Sequence, residues 1–185
     1  RHLGELLTAL AGARPAVVGL AAPLPVRSYE FLVKGIDAPL LDGIRRLRSV
    51  APLVVGQPIG VGRKLRPLAP ELLAAAGPEA ISSLVICVDP DGTVRRLGQR
   101  NCVDEDRNQP LSQVMAKALG HEGSATGMID YSVGGEIDYL PLKTVLDWIH
   151  QGRQAQLQAA VQGRAGVVAS LLPTTNEPVS ASTPI

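Results

Sequence analysis

Residues Leu3 to Ala21, LGELLTALAGARPAVVGLA, change their apolar period halfway along, and that change decides the fold. Leu3, Leu6, Leu7 and Leu10 fall at i, i+3, i+4 and i+7, the spacing of one helix face. Gly12 follows where a left-handed cap would stop a helix. From Ala16 to Ala21 the chain then runs apolar without polar alternation, as a strand covered on both faces does. A helix followed by such a strand is the building unit of α/β architecture.

The unit recurs along the chain. Leu40, Leu41, Ile44 and Leu47 mark a second helix, Leu111, Val114, Met115 and Ala118 a third, and Leu142, Val145, Leu146 and Ile149 a fourth. Gly120 and Gly152 stand at the ends of the last two. Short apolar runs lie between them at Leu53 to Gly56, Leu84 to Val88, Val94 to Leu97, Met128 to Tyr131 and Val167 to Leu172. The alternation predicts an α/β domain with a mixed, largely parallel sheet, an antiparallel hairpin and helices packed on the faces. The hairpin is expected at Cys87-Val88-Asp89-Pro90-Asp91-Gly92-Thr93-Val94-Arg95-Arg96, where Asp89, Pro90 and Gly92 suit the first, second and last places of a tight turn. A positive φ at Gly92 follows.

A length of 185 residues fits one domain, read as residues 1–172. Residues 173–185, rich in proline, serine and threonine, read as an extended or mobile tail. Pro23 to Lys34 reads as a surface excursion. The 18 Lys plus Arg against 17 Asp plus Glu give no field that would draw in nucleic acid or an anionic membrane. The five aromatics, Tyr29, Phe31, Tyr131, Tyr139 and Trp148, are too scattered for base stacking. No apolar run approaches the roughly 18 residues that would span a bilayer. The sequence opens on Arg1 with no methionine or signal-peptide pattern, which reads as an excised piece of a longer polypeptide.

Catalytic motifs are missing. His2, His121 and His150 are isolated in the sequence, and no H-E-x-x-H, G-x-S-x-G, paired C-x-x-C or phosphate-loop pattern occurs. The expectation is a chain with no enzymatic activity, cofactor or metal. Gly56, Gly60 and Gly62, followed by Arg63 and Lys64, suit either anion binding by backbone amides or a flexible loop, and the spacing favours the loop. Cys87 and Cys102 read as separate thiols, since a continued strand would put them beyond disulfide reach. Arginine forks bind carboxylates and phosphates, so Arg95 and Arg96 are candidate ligand contacts, as are Asp130 and Tyr131 at an expected strand end. Against this, Asp91 can shape the turn and the arginines can lie along a half-exposed strand. Asp138 with Tyr139 invites the same two readings, and Trp148 reads as packing.

The order of these pieces resembles the second type of CHASE domain, an extracellular sensor module of bacterial adenylate cyclases, histidine kinases and serine/threonine kinases. Arg1 to Leu10 is similar to the family's arginine-led, leucine-rich helix, and Ala16 to Leu20 to the strand after it. Asp37 to Leu47 and Pro52 to Gly56 are similar to the next helix and strand. Asp89, Asp91, Gly92, Arg95 and Arg96 resemble the D-x-D-G-x-x-R-R hairpin, and Leu111 to Leu119 the helix beyond it. Ile129-Asp130-Tyr131 stands at the family's I-N-Y segment, Val145, Leu146 and Gly152 at its V-L-x-x-x-x-G stretch, and Gly166 to Leu172 at the late strand before the membrane helices. Two positions depart: Asp130 replaces the asparagine, and Leu20-Ala21-Ala22 lacks the aspartate that usually ends the early strand. The family's first strand has no counterpart in the sequence.

The resemblance implies a periplasmic or extracellular sensory domain with an unknown small-molecule ligand, membrane-spanning helices and a cytoplasmic signalling domain as neighbours, and a possible homodimer. A small α/β enzyme domain or a structural assembly module is the alternative.

Overall fold

The leucine stripe of residues 3–10 lies on α1 (His2–Ala13), which leads into β1 (Val17–Ala21). The computed structural model describes residues 2–60, 64–86, 88–97, 109–122, 127–134 and 137–170. After β1 come α2 (Ala38–Arg48), β2 (Leu53–Gln57), α3 (Pro70–Ala76) and β3 (Ile81–Ser83). Then follow β4 (Arg96–Leu97), α4 (Leu111–Ala118), β5 (Gly127–Met128), α5 (Leu142–His150), α6 (Gln154–Val161) and β6 (Ala165–Ala169).

Four strands form one parallel sheet in the order β3-β2-β1-β6, with registers such as Val18 beside Leu53 and Gly166, and Val55 beside Ile81. The protein is an α/β domain, as the alternation predicts. Side chains alternate across a strand, so Val18, Leu20, Leu53 and Val55 share one face. All four are buried in one apolar cluster with Leu6, Leu7 and Leu10 of α1, Ile44 and Leu47 of α2, Leu72 of α3, Val145 of α5 and Leu157 of α6. The opposite face carries Val17 and Val54 under Met115 of α4. Gly19 makes room for that helix, because a side chain there would meet the Met115 thioether. Over β6 the same face is open, and Val167 is 57% exposed.

The hairpin departs from expectation. Its turn closes, with the Gly92 amide donating to the Asp89 carbonyl at 2.8 Å and the Asp89 amide to the Thr93 carbonyl at 2.8 Å, and Gly92 has φ +79°. Residues 84–86 and 88, however, lie outside any strand, and β4 pairs antiparallel with β5 instead. The sheet strand of this region lies earlier, at Ile81–Ser83. Its two serines disguise it, and both are satisfied: the Ser82 hydroxyl donates to the Val55 carbonyl at 3.2 Å, and the Ser83 hydroxyl accepts the Val85 amide at 2.9 Å.

Gly12 does not cap α1. It lies inside the helix, where a Cβ would stand 3.0 Å from the Gln154 amide nitrogen, so the glycine admits the start of α6. The left-handed residue is Arg14, at φ +52°. Gly120 and Gly152 do take positive φ, at +81° and +68°. Cys87 and Cys102, the loop at 61–63, and the expected strand end and tail over 171–185 lie outside the described residues.

Candidate functional site

The four candidate ligand contacts come together on the β4–β5 ribbon. Arg96 pairs with Met128 in its register, and the Arg95 carbonyl accepts the Ile129 amide at 2.8 Å. The Tyr131 hydroxyl donates to the Val94 carbonyl at 2.6 Å. Residues separated widely in sequence thus meet within one small antiparallel unit.

Charge on the ribbon is mostly paired locally. The Arg95 guanidinium donates to both Asp91 oxygens, at 2.8 and 2.6 Å, and to Asp89 at 3.2 Å. The fork holds Asp91 ionised: first the Arg95 hydrogen bond and then the Thr93 amide lower its pKa from 3.8 to about 2. The hydrogen bonds to Asp91 and then to Asp89 push Arg95 up. Asp130 accepts the Ser132 hydroxyl at 2.6 Å and the Ser132 amide at 2.9 Å, and these two bonds, in that order, lower its pKa. Arg96 is exposed. Of the four, Arg95, Asp130 and Tyr131 each close a local hydrogen bond, and Arg96 presents its charge outward.

The second feature is a shallow groove of about 580 Å³, largely open to solvent, along the outer side of α1. Gly4, Thr8 and Gly12 of α1 form its floor, Pro39, Asp42 and Arg46 of α2 one wall, and Ile149 and Gln154 of α5 and α6 the other. The small residues let the helices approach closely: a Cβ on Gly4 would overlap the Pro39 carbonyl, and one on Gly43 would stand 2.6 Å from the Gly4 carbonyl oxygen. Glu5 ties α1 to α5, with His2 Nδ1 of its own helix and His150 Nε2 of α5 each 3.5 Å from its Oε2. Arg46 and Asp42 supply one charge of each sign on the α2 side.

Sequence reading missed this groove. Its signal was present as Gly4, Thr8 and Gly12 at intervals of four on the side of α1 opposite Leu6 and Leu10, a stripe of small residues beside the apolar one. Asp138 accepts Arg164 at 2.8 Å just before β6, and Trp148 packs against the main cluster. Gly60 and Lys64 close a short loop, with the Gly60 amide donating to the Lys64 carbonyl at 2.7 Å. Among the described residues no group of three His, Cys, Asp or Glu has the geometry of a metal site. No family model matches the chain, and searches of the curated proteins and of the solved structures found no match to it.

Proposed function

We propose that the chain is the extracytoplasmic signal-input domain of a bacterial transmembrane receptor, biasing an adenylate cyclase, histidine kinase or serine/threonine kinase across the membrane. One observation carries the reading. β6, which stands where the resembled sensors run on into the membrane, pairs in register with β1 over five residues, and its Val168 packs against the apolar cluster to which the helices lining the groove contribute.

A ligand acts on such a domain only through differential affinity for two arrangements. A small molecule seated between α1, α2 and the start of α6 would favour one spacing of these helices. Leu157 of α6 and Leu10 of α1 share the buried cluster with Val18 and Leu20, which is the packed route by which that spacing would reach the β1–β6 pair. On the ribbon, Arg96 is, among the described residues, the cation available to an anionic ligand, with Arg95, Asp130 and Tyr131 shaping its surroundings. Without a catalytic constellation in the sequence, binding rather than turnover is the activity supported.

The parent gene tests the reading. Its frame is expected to continue past Ile185 into apolar segments of about 20 residues and then a cyclase or kinase domain. A frame that ends within a few residues, or continues with no such segment, overturns it. A thermal-shift screen of small anions and metabolites then identifies the ligand through a rise in Tm.

A further inference from the structure

The connection from β1 to α2 holds Tyr29 and the chain's single phenylalanine, Phe31, in a protein with 3% aromatic residues. Neither aromatic is buried. Phe31, Leu32 and Val33 are 68%, 63% and 58% exposed, a consecutive apolar tip that stays off the core. Contiguous exposed apolar surface, unlike a single exposed side chain, marks a place where a protein meets a partner or a membrane.

A polar brace holds the tip outward. Asp37, at the start of α2, accepts the Ser28 hydroxyl at 2.8 Å and the Tyr29 amide at 2.9 Å. Glu30 accepts the Gly35 amide at 2.6 Å and the Asp37 amide at 3.1 Å, while the Ser28 hydroxyl accepts the Glu30 amide at 3.1 Å. Inside the turn the Leu32 amide donates to the Tyr29 carbonyl at 2.9 Å and the Ile36 amide to the Val33 carbonyl at 3.2 Å. Both carboxylates are thereby spent on the loop's own backbone. The two cations are not: Arg27 lies 5.7 Å from the centre of the Phe31 ring, and Lys34 is exposed on the other flank.

We propose that residues 27–34 are a lipid-contact loop, which seats Phe31, Leu32 and Val33 in the interface of an anionic membrane while Arg27 and Lys34 meet the headgroups. Backbone amides that enter an apolar medium are best satisfied internally, and the brace and the turn inside it do this for the amides of Tyr29, Glu30, Leu32, Val33 and Gly35. Apolar side chains flanked by cations are the composition of an interfacial anchor, and since the balanced charge of the whole chain supplies no long-range attraction, the contact rests on these side chains alone. The loop also lies at the carboxyl end of the parallel sheet, the end at which the chain leaves β6, since Ala21 and Ala169 are register partners. The inference stands on the loop itself and does not need the receptor reading.

Sedimentation of the full chain with lipid vesicles tests it. Wild type is expected to bind mixed phosphatidylcholine–phosphatidylglycerol vesicles more tightly than pure phosphatidylcholine. Phe31→Ser with Leu32→Ser, both at exposed positions, should weaken binding to either vesicle by about tenfold or more. Arg27→Gln with Lys34→Gln should lose about fivefold per charge on the anionic vesicles and nothing on the neutral ones. Circular dichroism checks that both variants keep the fold. A wild-type chain that sediments with neither vesicle, or a serine variant that binds as wild type does, overturns the proposal and points the tip to a protein partner. Unchanged binding of the glutamine variant to anionic vesicles overturns the headgroup contact. Failure here leaves the receptor reading standing, since the reading frame tests that separately.

Discussion

The parallel sheet and the β4–β5 ribbon are held by different forces. In the sheet body Leu7, Leu20, Ile44, Leu47 and Val55 are all fully buried, and stability comes from apolar area removed from water. The ribbon has two register pairs, with an arginine fork and a tyrosine hydroxyl to tie it down. Surface ion pairs and single hydrogen bonds contribute little each. The body therefore sets whether the chain folds, and the ribbon is the part that can rearrange without unfolding it.

Truncation of a body residue should show the largest effect. Leu20→Ala is expected to lower unfolding free energy by about 3 kcal/mol in urea titrations. Met115→Ala, on α4 over the other face, should cost about 2 kcal/mol, because Met115 belongs to the smaller cluster with Val17 and Val54. Equal losses would erase the distinction between the two faces. On the ribbon, Gly92→Val should cost about 1 to 2 kcal/mol through backbone strain alone, since the space around Gly92 is open. Hydrogen exchange should then quicken in the ribbon while the sheet amides stay protected. Accelerated exchange throughout β1 and β2 would break the comparison.

Arg14→Gly tests the body from the opposite side. A left-handed arginine ends α1, and relieving it should stabilise the protein by about 0.5 kcal/mol after the added freedom of the unfolded chain is offset. The smallest effect is a pH dependence. The Asp91 pKa is lowered from 3.8 to about 2, so its contribution is present above the unfolded value and is lost as pH falls from 3.8 through 2. The gap in urea midpoint between wild type and Asp91→Asn should close over that interval. A gap that is constant from neutral pH to pH 2 would refute the fork as its source.

Burial leaves a period in the sequence, and local polar structure does not. The stripes at Leu3 to Leu10, Leu40 to Leu47, Leu111 to Ala118 and Leu142 to Ile149 each fell on a helix. α3 and α6 were not legible: α3 opens on proline and its stripe of Leu72, Ala75 and Ala76 is short and mostly alanine, and α6 buries only Leu157. β3 hid behind Ser82 and Ser83, because the Ser82 hydroxyl finds its partner only across the sheet, at the Val55 carbonyl, and the Ser83 hydroxyl takes the Val85 amide as a turn-forming serine does. The turn at Asp89 to Gly92 was readable because Pro and Gly state their dihedral angles directly. Its strand partner was not, because β5 lies beyond α4 and the pairing of two-residue strands has no periodic signature. The groove went unread for a related reason, in that small residues mark close approach without saying of what.

The adjacency of β1 and β6 also shapes how the chain reaches this state. The first strand of the sheet pairs with the last, so their contact closes a loop that includes nearly every other element. Such long-range pairings raise contact order and slow folding, because chain entropy is lost before the contact forms. β2 and α2 can assemble on β1 early, since they follow it directly. During synthesis on the ribosome β1 therefore keeps one uncovered edge until residues 165–169 emerge, and the arrival of β6 is the step that completes the sheet.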